Sequence, residues 1–251
     1  MPAIGWLASK YDVVMLQEDF EYSDVIAHQM HGVVSYRGNG AAGHAGLLLA
    51  KIAMLPFTLP IPRFSVPYGS GLTTYVPVDM NVGKTRVGRA YDDCGGWFTA
   101  GWDCWARKGY LRVRLRASNG AEVDVYNTHI EAGSNRRSVR SRRRNFDTLA
   151  QAIERISGDG AVVVAGDFNV QYSKPHDRDA VTEFRKRLGL SDSGAGPELG
   201  VWNENDYILV RSGRGATISV EAAGEAKEFV NGRRALSDHP ALFARLRVVP
   251  R

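Results

Sequence analysis

The stretch VVVAGDFNV, residues 162–170, constrains the fold more than any other. Its small apolar residues, Val162 to Gly166, run unbroken and stop at Asp167, with Asn169 two positions on. A short apolar run rich in β-branched residues reads as a core strand. Polar groups at the mouth of such a strand are held rigidly and meet whatever lies outside it.

The neighbouring segments supply the layers around that strand. YLRVRLRAS alternates, with Leu111, Val113, Leu115 and Ala117 on one face and Arg112, Arg114 and Arg116 on the other. This pattern predicts a half-buried strand. It runs into Asn119-Gly120, a strong hairpin signal, and returns as AEVDVYNTH. SNRRSVRSRRRNFDTLAQAIERI predicts a helix, because Phe146, Leu149, Ile153 and Ile156 keep helical spacing. DVVML is a short strand preceded by the end of an amphipathic helix, DAVTEFRKRLGL a second helix, and DYILV and ALFARLRVV are further strands. Between about 38 and 70 a Gly- and Pro-rich region predicts long loops around a strand or short helix. Strands interspersed with helices, including a long antiparallel hairpin, point to a layered α/β sandwich rather than a doubly wound parallel sheet.

At 251 residues the chain suits one large α/β domain or two small ones. A formal charge of +5 favours an anionic partner, and nucleic acid, a phospholipid head group or a small phosphate ester all qualify. No stretch reaches the roughly 18 uninterrupted apolar residues of a membrane span. MPAIGWLASKYD lacks a basic start followed by an apolar run, so no signal peptide is read from it. The compartment stays open, a secreted or membrane-surface setting included. Cys94 and Cys104 are spaced for a disulfide closing a short loop or stand as two unpaired thiols; without nearby histidines they do not suit zinc.

Apolar strands here repeatedly end in groups able to hold a metal or a phosphate. Glu18 follows DVVMLQ, His129 follows VDVYNT, Asp167 and Asn169 follow VVVAG, Asp206 opens DYILV, and Asp238-His239 precedes the last strand. Taken singly, a carboxylate after a strand is usually a turn former or a cap. Their recurrence favours chemistry instead. Magnesium takes oxygen ligands and needs only one or two carboxylates beside a substrate phosphate. A histidine paired with a carboxylate can take a proton from water near neutral pH. No serine elbow, P-loop or dinucleotide fingerprint is present.

LQED, YNTH, GDFN, NDYILV and SDHPAL, in this order and separation, resemble the signatures of the endonuclease/exonuclease/phosphatase family. The resemblance covers nearly the whole chain, 1–251, as one catalytic domain. It implies a four-layer α/β sandwich, two mixed, largely antiparallel sheets face to face with helices outside, and magnesium-dependent cleavage of phosphoester bonds, with manganese or calcium as alternatives. It implies Glu18, Asp167 and Asp238 at the metal, His239 as general base and Asp206 orienting it. His129 would contact the scissile phosphate, Asp167 would position the water, and Asn169 would lie on the phosphate or metal. Asn127 and Lys108 would bind substrate. The family's first strand, with its asparagine, has no counterpart before Glu18, which implies an unpaired sheet edge and a cavity in the core.

The substrate has three readings. YDDCGGWFTAGWDCWARKGYLRVRL and THIEAG resemble the neutral sphingomyelinase branch, a phospholipase C-like phosphodiesterase. There, Leu47 to Phe64 with Trp97, Phe98, Trp102 and Trp105 could touch an anionic or choline-lipid membrane surface, or simply pack in loops and core. A nuclease is favoured by RRSVRSRRR, which aligns Arg136, Arg140 and Arg144 on one helix face and could contact DNA or RNA phosphates. The same run suits anionic lipid or a solvated face. A catalytically inactive binding domain of the same fold is the third, resting on the absent first strand.

Overall fold

The computed structural model of the chain describes residues 2–19, 23–38, 70–80, 86–95, 106–194 and 205–251. In chain order its elements begin with α1 (Pro2–Ala8), β1 (Val14–Leu16), α2 (Ser23–Ala27), β2 (Val33–Arg37), β3 (Thr73–Pro77) and β4 (Val87–Ala90). The hairpin β5 (Gly109–Arg116) and β6 (Glu122–His129) follows, then α3 (Arg136–Ile156), β7 (Val162–Asp167) and α4 (Pro175–Leu188). The chain continues through β8 (Ser191–Asp192), β9 (Asp206–Arg211), β10 (Thr217–Glu225), β11 (Val230–Asn231), β12 (Arg234–Ala235) and β13 (Leu242–Val249).

A six-stranded sheet, ordered β4-β5-β6-β7-β9-β8, forms the floor of the molecule. Asn119 shapes the β5–β6 turn by accepting the Ala121 N–H, and Gly120 takes the positive φ of 86° that the turn requires. β6 and β7 run parallel, which demands a crossover, and α3 provides it. The N-terminus of α3 is capped by Asn135, whose side chain accepts from the amides of Arg137 and Ser138.

Side-chain alternation along β7 explains its unbroken apolar run. Val162 and Val164 pack against Phe146, Leu149 and Ile153 of α3 and Phe184 of α4. Val163 faces the other way, against Val113, Val125, Val210 and Ile218. With both faces covered, neither can be polar. Beyond that inner core lie the three-stranded sheet β1-β3-β2 and the pair β10-β13. α1 and α2 close the outside, where Ala8, Ile26 and Met30 pack on Tyr75 of β3. The four layers are those of the expected sandwich.

Two expectations need correction. β5 is not half-buried in its first five residues: Arg112, read as outward-facing, is buried and ion-paired with Asp124. Asp124 also accepts from Arg114 Nε at 2.9 Å and from Ser157 Oγ at 2.6 Å. Strand β10, not anticipated at all, pairs with β13 along its length with a bulge at Val220/Ala222. Cys94 is disulfide-bonded; Cys104, the chain's other cysteine, lies outside the described residues, as do Leu47 to Phe64, Trp97, Phe98, Trp102 and Trp105.

The second sheet is open. Among the described residues β1 pairs only with β3, and β13 only with β10. A cavity of about 1360 Å³ lies along both strands, lined by Val13, Met15, Val125, Val163, Ile208 and Leu246 among others.

Gly166 allows β6 and β7 to meet just before the site. Its φ is +141°, and a Cβ there would stand 1.9 Å from the carbonyl oxygen of Thr128. Gly166→Ala should therefore destabilise the protein by about 1–3 kcal/mol, the usual cost of overpacking. Urea denaturation checks this, and a change within experimental error would mean that the strands can part freely.

Candidate active site

Strand register assembles the centre of the site. Parallel pairing sets His129 opposite Asp167, and antiparallel pairing sets Asp167 opposite Asp206. Three polar residues thus end three adjacent strands side by side. His129 Nε2 lies 3.3 Å from Asp167 Oδ2. From the chain before β13, His239 closes the group, its Nδ1 2.8 Å from Asp206 Oδ2. One metal-capable atom from each of Asp167, Asp206 and His239 lies within 4.8 Å of the other two.

The loop after β7 is folded around Asp167. Asn169 donates its backbone N–H to Asp167 Oδ1 at 2.8 Å and its side-chain amide to Asp167 Oδ2 at 3.1 Å and to the Ile130 carbonyl at 2.9 Å. Asn169 has φ 50°, and Glu18, at the end of β1, has φ 57°. Left-handed backbone at residues other than glycine costs on the order of 1–3 kcal/mol and collects at functional sites.

Charge is concentrated here. Hydrogen bonding to Asp206, aided by the charges of Asp206, Asp167 and Asp238 and opposed by burial, pushes the His239 imidazole up to about 9. Burial raises Asp206 above the ordinary carboxylate range, and the neighbouring Asp167 charge adds to this. Burial also works against Asp167, yet the His129 hydrogen bond and the charges of His129, Lys108 and His239 outweigh it and hold that carboxyl low. Lys108 is buried and donates to the Ile130 carbonyl at 3.3 Å.

Glu18, Lys108, His129, Asp167, Asn169, Asp206, Asp238 and His239 all line the one cavity. Glu18 and Asp238 stand exposed at its rim, outside the tight cluster of Asp167, Asp206 and His239. A donor set dominated by carboxylate oxygens suits a hard divalent cation. His129 Nδ1 is buried with no hydrogen-bond partner among the described residues, an uncommon state for a buried nitrogen.

Asn127 does not belong with these residues. It is fully buried, its amide donates to the Leu16 and Thr73 carbonyls at 3.1 and 3.0 Å, and its oxygen accepts from Gln17 Nε2 at 2.7 Å. It ties the two sheets together and does not line the cavity. Sequence reasoning also missed Arg142, hidden in an arginine run but buried and paired with Asp177. Its spacing was the available signal: residue 142 falls on the apolar stripe of Phe146, Leu149, Ile153 and Ile156. Arg136, Arg140 and Arg144 are exposed as expected, and Arg144 pairs with Asp93 at 2.6 Å.

The chain as a whole has counterparts among known proteins. A sphingomyelinase of Mycobacterium bovis is 31% identical over 258 aligned residues, and the same figures hold for one of Mycobacterium tuberculosis. The alignment takes in 94% of this chain but only 45% of either relative, so the chain spans about half their length. An endonuclease/exonuclease/phosphatase of Bacteroides vulgatus superposes with a TM-score of 0.68 at 15% identity, over 98% of this chain and 89% of that one. Beta toxin of Staphylococcus aureus, a double mutant with bound magnesium ions, gives 0.55 at 13% identity, over 98% and 91%. Residues 6–239 match the Endonuclease/Exonuclease/phosphatase family over most of the chain, and the protein belongs to that family.

Proposed function

We propose that the chain is a magnesium-dependent phosphodiesterase of the phospholipase C type, with sphingomyelin as its substrate. The observation that carries the hydrolytic reading is the His239–Asp206 pair at 2.8 Å, facing the same cavity as Asp167, His129 and Asn169. Similarity to the mycobacterial sphingomyelinases supports the choice of lipid.

In this reading His239, in the neutral form that grows as the pH rises toward its raised value, accepts the proton of the attacking water through Nε2, since Nδ1 is held by Asp206. Asp167 orients that water, and Asn169 and His129 steady the non-bridging phosphate oxygens as negative charge grows on them. Water adds to phosphorus, the bond to the lipid oxygen breaks, and the products are a phosphomonoester and an alcohol. Glu18, Asp238 and Asp167 would hold a magnesium ion, which when bound neutralises phosphate charge and favours in-line displacement. A secreted or membrane-surface setting goes with such a substrate.

A nuclease is the second reading, favoured by the exposed Arg136, Arg137, Arg140 and Arg143 of α3. The deciding experiment is a panel of sphingomyelin, phosphatidylcholine, single- and double-stranded DNA, RNA and inositol phosphates, each with magnesium and with chelator, and with manganese or calcium in exchange. Sphingomyelin should turn over fastest, with activity lost to chelator and restored by magnesium. Faster cleavage of nucleic acid would replace the lipid reading, and no turnover of any member would leave a binding domain. Glu18→Gln should raise the magnesium concentration needed for half-maximal rate; an unaltered titration would exclude Glu18 as a ligand.

A further inference from the structure

We infer that the buried ion pair between Arg142 and Asp177 is a positioning clamp for the two loops that carry the candidate catalytic groups. Arg142 is 3% exposed and Asp177 2%. The guanidinium donates to Asp177 Oδ1 from Nε at 3.1 Å and to Oδ2 from Nη2 at 3.4 Å. Its remaining capacity goes to main-chain carbonyls: Nη1 to Glu131 at 2.8 Å and Nη2 to Gly133 at 3.1 Å. Asp177 Oδ2 in turn accepts the Gln171 N–H at 3.1 Å.

One planar fork therefore holds the loop that leaves His129, while its partner holds the loop that leaves Asn169. Both grips fall two residues beyond the site, at Glu131 and Gln171. Asn145, also on α3, accepts the Glu131 N–H at 3.0 Å, so both main-chain groups of Glu131 are fixed from the helix. Where the loops meet, the Asn169 amide bonds to the Ile130 carbonyl at 2.9 Å. Displacing either loop would change how Asn169 stands against Asp167 and His129.

Stability alone does not call for this pair, because apolar residues of similar volume replace buried ion pairs with little loss. They could not serve the carbonyl of Glu131, which is buried and needs a donor. Lysine cannot substitute either, since a single ammonium lacks the fixed fork that reaches three acceptors at once.

The inference rests on the proposed site, and the test separates the two. Arg142→Lys, Asp177→Asn, Asn169→Ala and the double variant Arg142→Lys/Asn169→Ala are made in the full chain and assayed with sphingomyelin and bis-p-nitrophenyl phosphate plus magnesium. Rates are expressed per folded molecule from near-UV circular dichroism, and amide hydrogen exchange is followed in parallel. The clamp predicts that Arg142→Lys and Asp177→Asn lower kcat by about 10–100-fold, the scale of a misplacement near 1 Å, with KM within about twofold. It predicts faster exchange at 130–133 and 170–172 with β5 unchanged, and a smaller effect of Arg142→Lys once Asn169 is alanine. Unchanged kcat per folded molecule with a lowered Tm would overturn it, as would failure of both single variants to fold. If the wild-type chain turns over neither substrate, the proposed function fails, and the exchange data decide the clamp: loops that exchange at wild-type rates in both variants refute it.

Discussion

Replacing His239 by alanine should lower turnover by about 10²–10⁴-fold, the usual contribution of a general base, the role proposed for it, and leave the fold intact. The imidazole is about one-third exposed and its side-chain hydrogen bond goes to Asp206, at the mouth of the cavity rather than in the core. The two residues act as one unit, and such effects do not add. Asp206→Asn should fall short of His239→Ala, and the double variant should be no slower than His239→Ala alone. Steady-state rates with matched circular dichroism spectra check this. Unchanged turnover in His239→Ala would remove the residue from the mechanism, and additive losses would break the pair.

The second large effect lies far from the site, at Asp124. This carboxylate is 3% exposed and is held by Arg112, Arg114 and Ser157. Burial opposes its ionisation, but hydrogen bonds from Arg114 and Ser157 and the charges of Arg112 and Arg114 prevail, and the folded-state value drops below the ordinary one. A depressed folded value means stability that is fully present above the unfolded value, about 3.9, and lost as the pH falls through the folded value. Asp124→Asn leaves the buried Arg112 without its counter-charge and should cost about 3–5 kcal/mol at pH 7. The gap from wild type should shrink as the pH drops below about 4, where the unfolded wild-type chain takes up the proton, and close as the pH passes through the depressed folded value. Chemical denaturation at several pH values measures it, and a gap that stays constant down to acid pH would show that Asp124 is not the titrating group.

How much of this was readable in the chain depended on whether a residue obeyed the polarity rule of its element. Val162 to Asp167 and the β5–β6 hairpin announced themselves through apolar runs, alternation and Asn119-Gly120. The site residues were legible because each lies at or beside one end of a strand. Their adjacency was not, since it comes from the parallel register of β6 with β7 across the α3 crossover. Arg112 and Arg142 broke the rule: pattern reading sends arginine outward, and only a partner such as Asp124 or Asp177, distant in sequence, brings it in. Asn127 misled for a related reason. It shares a face with His129 by the two-residue period of a strand, but sits deeper along β6, where that face meets the second sheet. β10 escaped because Glu221, Ala222, Ala223 and Gly224 are poor strand formers, and pairing with β13 imposes the conformation.

The divided second sheet has a mechanical consequence. Glu18 stands on one fragment, after β1, and His239 leads into the other, at β13, and among the described residues no main-chain ladder links the two strands. Side chains join the fragments instead: Tyr11 Oη donates to Glu228 Oε1 at 2.7 Å and its ring packs against Phe229, while Met15 and Leu246 meet the shared floor. Among the described residues, the spacing between Glu18 and His239 is therefore set by side-chain contacts across this seam rather than by a backbone ladder.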